Sequence, residues 1–359
     1  MYINNKLYIE SIKVFASTNI DWEKLKNKSI IITGATGLIG TFLVDLLMCQ
    51  NILFKDNITI YIISRSKEKV FLRFHEYFNF DFFNFIEQDI QEPIKLDKSV
   101  DYIIHCASDN HPIAFSTEPI NIILTSVLGS RSVFDFASTH QVKRIVYLSS
   151  SEIYGINRGD VDSFKEDYCG YIDCNTVRSC YPEAKRTTES LCQAYIKENK
   201  LDIVIARCCH VYGPTFAIND SKVIFQFLKN AVAGNNLILK SKGDQQYSYC
   251  FVGDVCSALL TLLFAGKSGE AYNISDSNCK LSLLQIATIL SEYSGTKVVY
   301  ETPSLIESNG YSKATKALVD STKLENLGWR PKYSIQDGLI RTIEIMRSMM
   351  EANGTENIN

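Results

Sequence analysis

The chain has 359 residues, 46% of them hydrophobic and 21% charged, with a net charge of -3. Those numbers describe a folded protein of one large domain or two modest ones. They give no footing for nucleic acid or an anionic membrane surface, and no apolar run is expected to span a bilayer. Met1 to Lys6 lack the basic-then-apolar layout of a secretory leader. Eleven cysteines are scattered with no C-x-x-C spacing, so no metal site is expected. The expectation is idle or buried thiols in a reducing cytoplasm.

Residues 1–28 precede the first strand as an N-terminal extension. Leu7, Ile12 and Phe15, then Trp22 and Leu25, are spaced for short helices packed on the domain edge. Ile30, Ile31 and Ile32 form a β-branched run suited to a strand buried on both faces. Gly34, Gly37 and Gly40 follow, then Phe42, Leu43, Leu46 and Leu47 at helical spacing. Strand, glycine-rich turn and helix together form the context of a dinucleotide-binding turn. Gly34 permits the tight turn, Gly37 lets backbone approach a pyrophosphate, and Gly40 lets the helix lie close on the strand. Thr36, Leu38 and Ile39 complete the cofactor-binding set at a helix N-terminus, where free N–H groups favour phosphate.

The second strand, Ile58 to Ile63, ends in Ser64-Arg65-Ser66-Lys67 rather than in an acidic residue. An acid there would bind the ribose hydroxyls of NAD, whereas Arg65 suits a 2′-phosphate through bidentate pairing. Arg65 and Lys67 also fit solvated loop charges; the balance favours NADP over NAD. Asp89-Ile90 follow a third strand at Phe83 to Ile86. Ala107-Ser108 follow a fourth at Tyr102 to Cys106, where small residues leave room for the cofactor. His105 reads as a satisfied structural histidine.

Ile120 to Thr139 predicts a long amphipathic helix, and Ile145 to Leu148 a fifth strand running into Ser149-Ser150-Ser151-Glu152. Strands alternating with helices imply an α/β fold, a Rossmann-type doubly wound parallel sheet. Ligands bind such sheets at the carboxyl ends of the strands, where the serine run lies. Tyr181 and Lys185 are four apart on the next predicted helix and share a face. An ammonium beside a phenol favours the phenolate, giving a base able to take a hydroxyl proton near neutral pH.

At these residues the chain resembles the extended short-chain dehydrogenase/reductase family of nucleotide-sugar epimerases, dehydratases and decarboxylases. The matching motifs are Thr33-Gly34-x-x-Gly37-x-x-Gly40, Ser150 to Gly155, Tyr181-x-x-x-Lys185, Arg207 to Pro214, Phe251 to Val255, and Leu327-Gly328-Trp329. The resemblance implies an NAD(P)-binding Rossmann domain mainly over 29–208. It implies a smaller C-terminal α/β domain for a nucleoside-diphosphate sugar mainly over 209–350, with the chain crossing between the two, and a tail at 351–359. It also implies a homodimer through the helices Ile120–Thr139 and Tyr181–Glu198.

Carried over by position, Tyr181 is the base at a sugar hydroxyl, Lys185 holds the nicotinamide ribose, and Ser150 hydrogen-bonds the same sugar oxygen. Ser151 stands where 4,6-dehydratases carry an acid, and Ser150-Ser151-Glu152 is nearer to the uronate decarboxylases. Glu152 is either a second acid/base group or a loop brace. Arg207 is either structural or part of the nucleotide pocket. His210 replaces the usual asparagine, and Tyr247 stands in place of an arginine that contacts the nucleotide. The arginine expected to grip a carboxylate before Asp320 is missing from Thr315 to Val319. Three functions remain open: a hydride-returning nucleotide-sugar enzyme, an NADPH-dependent net reductase of a nucleotide-linked keto sugar, and a non-catalytic nucleotide-binding regulator.

Overall fold

The computed structural model describes residues 4–18, 20–108, 112–217, 220–303 and 315–352; the expected tail at 353–359 lies outside them. In chain order the strands are β1 (Ser29–Thr33), β2 (Thr59–Ser64), β3 (Phe83–Glu87), β4 (Tyr102–His105), β5 (Arg144–Ser150), β6 (Ile203–Cys208) and β7 (His210–Tyr212). They continue with β8 (Leu237–Leu239), β9 (Gln246–Tyr247), β10 (Tyr249–Phe251), β11 (Ala271–Ile274), β12 (Leu281–Ser282), β13 (Val298–Tyr300) and β14 (Lys316–Ala317). The main sheet has seven parallel strands in the order β11-β6-β5-β4-β1-β2-β3.

Strand β1 shows why the sequence reads as one unbroken apolar run. Ile30 and Ile32 face one core and Ile31 the other, and all three are fully buried. One core packs α2 (Leu38–Phe54) and α8 (Val252–Ala265) against the sheet. The other packs α5 (Pro119–Thr139) and α6 (Cys180–Asn199). Helices on both faces and the reversal of strand order between β1 and β4 make the fold Rossmann-like. After β6 the chain enters three small sheets, pairing β7 with β10, β9 with β12 and β14, and β8 with β13. It returns to the main sheet at β11.

Strand β5 is longer than the apolar pattern indicates. Serines are poor strand formers, but Ser149 and Ser150 stay in register with Arg207 and Cys208 of β6. Two other expectations need correction. The last helix, α11 (Ile335–Ala352), includes residues 351 and 352, which were assigned to a tail. Helix α5 is long and apolar enough to cross a membrane by length and composition, and half of it is buried in the fold. One side of α5 packs on the sheet and α6. Ile122 is buried with Phe115, Cys180 and Tyr181, while Ile120, Ile123, Leu124 and Leu128 are exposed.

The extension before β1 forms α1 (Lys6–Ala16), capped by the Asn5 side chain accepting from the Tyr8 amide. Tyr8, Ile12 and Phe15 are fully buried. A Cβ at Gly253 on α8 would lie 2.1 Å from the Phe15 ring, so glycine lets α1 seat there. The Tyr8 hydroxyl donates to Asp45 Oδ2 at 2.6 Å and the Tyr77 hydroxyl to Asp45 Oδ1 at 2.8 Å. Across from them Arg341 of α11 donates to the Leu7 carbonyl at 2.8 Å, Ser11 Oγ at 2.9 Å and Glu10 Oε2 at 3.0 Å.

Candidate active site

The glycine turn sits at the reversal between β1 and β4. Gly34 has φ +68°, and a Cβ there would come within 2.8 Å of the Ala107 amide and the Cys106 carbonyl. At Gly40 a Cβ would lie 2.3 Å from the Gly34 carbonyl oxygen. These contacts fold the turn tightly under the end of β4 and bring α2 onto β1. Helix α2 starts at Leu38 with Gly37 as N-cap and no side-chain cap, so its first N–H groups have no side-chain acceptor at the cap. Thr36 lies in the turn, and Leu38 and Ile39 open the helix.

The ends of neighbouring strands complete a cradle. The Ala107 amide donates to Thr33 Oγ1 at 3.1 Å. Ser108 Oγ is buried with no hydrogen-bond partner among the described residues. Arg65 Nη1 lies 3.8 Å from Asp89 Oδ2, both at strand ends, and the arginine side chain is 63% exposed. Ser64 Oγ accepts from the Ser66 amide at 3.3 Å. Ile90 is buried against Gly129 of α5. A glycine floor without Cβ atoms, open helix amides and an orphaned serine hydroxyl fit a dinucleotide. His105 is locked between Thr33 (2.6 Å) and Ser130 (2.9 Å), and burial pushes it down to about 3. It is neutral and structural.

At the end of β5, Ser150 meets Tyr181 of α6. Ser150 lies close enough to the Tyr181 phenol to lower its proton affinity, and Ser150 Oγ accepts from the Glu152 amide at 3.2 Å. Tyr181 is 6% exposed and stacks on Phe115 with centroids 5.1 Å apart. Lys185 donates to the Leu148 carbonyl at 2.8 Å, with its ammonium 5.8 Å from the Tyr181 ring centre. Burial lowers Lys185 to about 8. The expected electrostatic help from Lys185 does not set the phenol in this state. Burial pushes Tyr181 well above its ordinary value, the negative Glu152 adds to that, and Ser150 opposes it.

Glu152 shares its carboxylate with Arg178, which sequence reasoning missed. Arg178 Nη2 donates to Oε1 at 2.8 Å and Oε2 at 2.7 Å, and the guanidinium lies 4.5 Å over the Phe115 ring. The available signal was an arginine three residues before Tyr181, at the mouth of the same helix. Ser151 is 9% exposed and opens the short 3₁₀ turn Ser151–Tyr154. His210 on β7 packs on Tyr247 of β9 at 4.6 Å and on Tyr249 at 5.5 Å. Burial lowers His210 to about 4, with Glu152 pulling the other way.

Arg207, read from sequence as either structural or part of the nucleotide pocket, is held by groups of the fold itself. Its guanidinium donates to Glu189 at 2.7 Å, the Tyr154 hydroxyl at 3.0 Å and the Glu166 carbonyl at 2.6 Å. It braces β6 against α6, and it lines a cleft with Glu166, Glu189 and Lys323. The sequence could not assign the face of β6 from which Arg207 projects.

Residues 30–275 match the NAD dependent epimerase/dehydratase family. UDP-glucuronic acid decarboxylase 4 of Arabidopsis thaliana is 31% identical over 88% of this chain and 68% of its own. UDP-glucuronic acid decarboxylase 1 of Xenopus tropicalis is 29% identical over 90% of this chain and 73% of its own. Among solved structures, a dTDP-glucose 4,6-dehydratase of Streptomyces venezuelae with NAD bound superposes with a TM-score of 0.77. It is 24% identical, covering 90% of this chain and 98% of its own, and supports the fold. A UDP-glucuronic acid 4-epimerase of Bacillus cereus, in complex with UDP-glucuronic acid and NAD, gives 0.74 at 20% identity, covering 89% and 99%. With a family match spanning most of its length and the glycine turn, Ser150, Tyr181 and Lys185 gathered towards the carboxyl ends of the sheet's central strands, this chain belongs to the NAD dependent epimerase/dehydratase family.

Proposed function

We propose that the protein is a hydride-returning enzyme acting on a nucleoside-diphosphate uronate, as a decarboxylase in the first instance. The observation that carries this reading is the gathering of Ser150, Glu152 and Tyr181, with Glu152 held by Arg178 over the ring that stacks on Tyr181 and with Ser151 rather than an acid between Ser150 and Glu152. Its relatives named as UDP-glucuronic acid decarboxylases support the substrate class.

Ser150 and Tyr181 would receive the hydroxyl on the sugar carbon that is oxidised, and Tyr181 would take its proton. Gly34, Gly37, the start of α2, Ala107, Ser108 and Lys185 would hold NAD or NADP, which when bound accepts a hydride and gives it back. Lys185, facing the bound ribose, and the positive charge of an oxidised nicotinamide would together oppose the upward push of burial on Tyr181. A 4-keto uronate is a β-keto acid. It loses its carboxylate as CO2 and leaves an electron pair on C5, where one proton must be delivered. Glu152 is our candidate for handling that proton. His210 and Tyr247 would wall the sugar–nucleotide pocket with rings in place of the amide and guanidinium expected there.

For the cofactor we favour NADP, because Ser64 removes a repelling carboxylate and Arg65 adds a cation. Exposure of Arg65 and its neighbour Asp89 reduce the margin to about threefold to tenfold. Binding titrations of NADPH and NADH to wild type and Arg65→Ala check this. An NADH preference unchanged by the substitution refutes it. We also propose a homodimer through the exposed α5 face.

The test of function is incubation with UDP-glucuronate and either cofactor, read by mass spectrometry. Loss of CO2 supports the reading. Unchanged mass with a new retention time moves it to epimerisation, and no turnover overturns it. The Ser64-Arg65 pair favours a second reading, a net reductase; stoichiometric NADPH consumption with a nucleotide-linked keto sugar would establish it instead.

A further inference from the structure

We propose that Arg178 is the receptor for the sugar carboxylate, and that Glu152 occupies it as an internal stand-in until substrate arrives. The inference rests on the uronate reading above and extends it to a residue and an exchange of partners.

The side-chain geometry carries the argument. Arg178 is only 19% exposed, and it holds both oxygens of Glu152 at 2.7 and 2.8 Å. Its guanidinium lies 4.5 Å over the Phe115 ring, and Phe115 stacks on Tyr181. The cation and the phenol therefore share one ring as neighbour. The charges of Arg178 and Glu152 both act on Tyr181 and on His210, so the pair lies near the phenol and near one candidate wall of the sugar pocket.

No arginine stands in the stretch before Asp320, and Lys316 there is committed to Asp162 at 3.0 Å. A pocket for a uronate needs a cation, and Arg178 is the guanidinium placed beside the phenol. A sugar carboxylate has the same fork geometry and charge as the Glu152 side chain, so the two compete for one guanidinium. When the substrate takes it, Glu152 loses its counter-ion and is released to serve as the acid the reaction needs. A neutral sugar leaves the Glu152–Arg178 pair closed. Recognition of the carboxylate and arming of the acid become one event.

The experiment is titration calorimetry on cofactor-loaded protein with UDP-glucuronate and UDP-glucose. Wild type should prefer UDP-glucuronate. Arg178→Gln should weaken UDP-glucuronate on the order of tenfold to a hundredfold and leave UDP-glucose nearly unchanged, erasing the preference. Arg178→Lys should restore part of it, since the charge returns without the fork. Glu152→Gln removes the competing carboxylate and should tighten UDP-glucuronate severalfold with no change for UDP-glucose. A preference that survives in Arg178→Gln overturns the proposal while leaving the uronate reading intact. An unchanged ratio in Glu152→Gln overturns the exchange, and it decides the matter alone if the Arg178 variant does not fold. Wild type that binds neither sugar, or both equally, refutes the uronate reading itself and the proposal with it.

Discussion

Asp45 gives a quantitative test of how the first helix is held. The carboxylate is fully enclosed between α1, α2 and the turn at Tyr77, and two tyrosine hydroxyls donate to it. Burial outweighs those donors and raises it from 3.8 to about 6. A group that is harder to ionise when folded stabilises the fold below its unfolded value, and that contribution is lost as pH rises through the folded one. Two pH units correspond to roughly 3 kcal/mol, of which about 2 kcal/mol falls between pH 4.5 and 7.5.

Asp45→Asn keeps the size, can still accept from one tyrosine, and removes the titration. The melting temperature of the variant relative to wild type should therefore rise between those two pH values. At about 2.1 cal/mol/K per residue, the unfolding entropy of a chain this long converts 2 kcal/mol into roughly 2–3 °C. The assay is differential scanning fluorimetry of both proteins in matched buffers. An offset between the two proteins that stays constant from pH 4.5 to 7.5 would refute the reasoning.

Tyr181→Phe should lower turnover on the order of a hundredfold or more with cofactor affinity nearly unchanged, measured by initial rates and NAD(P) titration. Half the wild-type rate in that variant would remove the phenol from the mechanism. Lys185→Met should lose both rate and cofactor affinity, and unchanged binding with an unchanged pH optimum would exclude both proposed jobs. Gly40→Ala should unfold at lower temperature and lose dinucleotide binding, because its Cβ would sit 2.3 Å from the Gly34 carbonyl oxygen. Leu124→Glu with Leu128→Glu should shift a dimer to a monomer in sedimentation, and a monomeric wild type at micromolar concentration would contradict the α5 interface.

The parts legible in the sequence were those set by local pattern. The Ile30–Ile32 run and the Gly34-Gly37-Gly40 spacing mark a strand, a turn and a helix within a dozen residues, and their chemistry is in the backbone. Tyr181 and Lys185 were placed on one helix face by their spacing alone. Arg178 was not legible, because its meaning comes from Glu152, 26 residues earlier, and from Phe115 beneath it. Arg207 sits in a recognisable motif, but the motif does not say that Glu189 and Tyr154 already hold its guanidinium. The proton affinity of Tyr181 without cofactor was not legible for another reason. Spacing fixes proximity, while the proton affinity of a buried phenol is governed first by how much water it loses.

The clasp between α1 and α11 imposes an order on synthesis. Ser11 is bonded by Arg341, 330 positions later, and Phe15 is covered by Phe251 and Tyr333. At about 5–20 residues per second, α1 leaves the ribosome roughly 15–65 s before the helix that fastens it. It can lean on α2 early, through Tyr8 and Phe42. For that interval, though, the Leu7 carbonyl, Ser11 and Glu10 lack the arginine that ties them down. A transcript truncated before α11 would make a product whose first helix keeps its ring contacts but never gains the Arg341 latch.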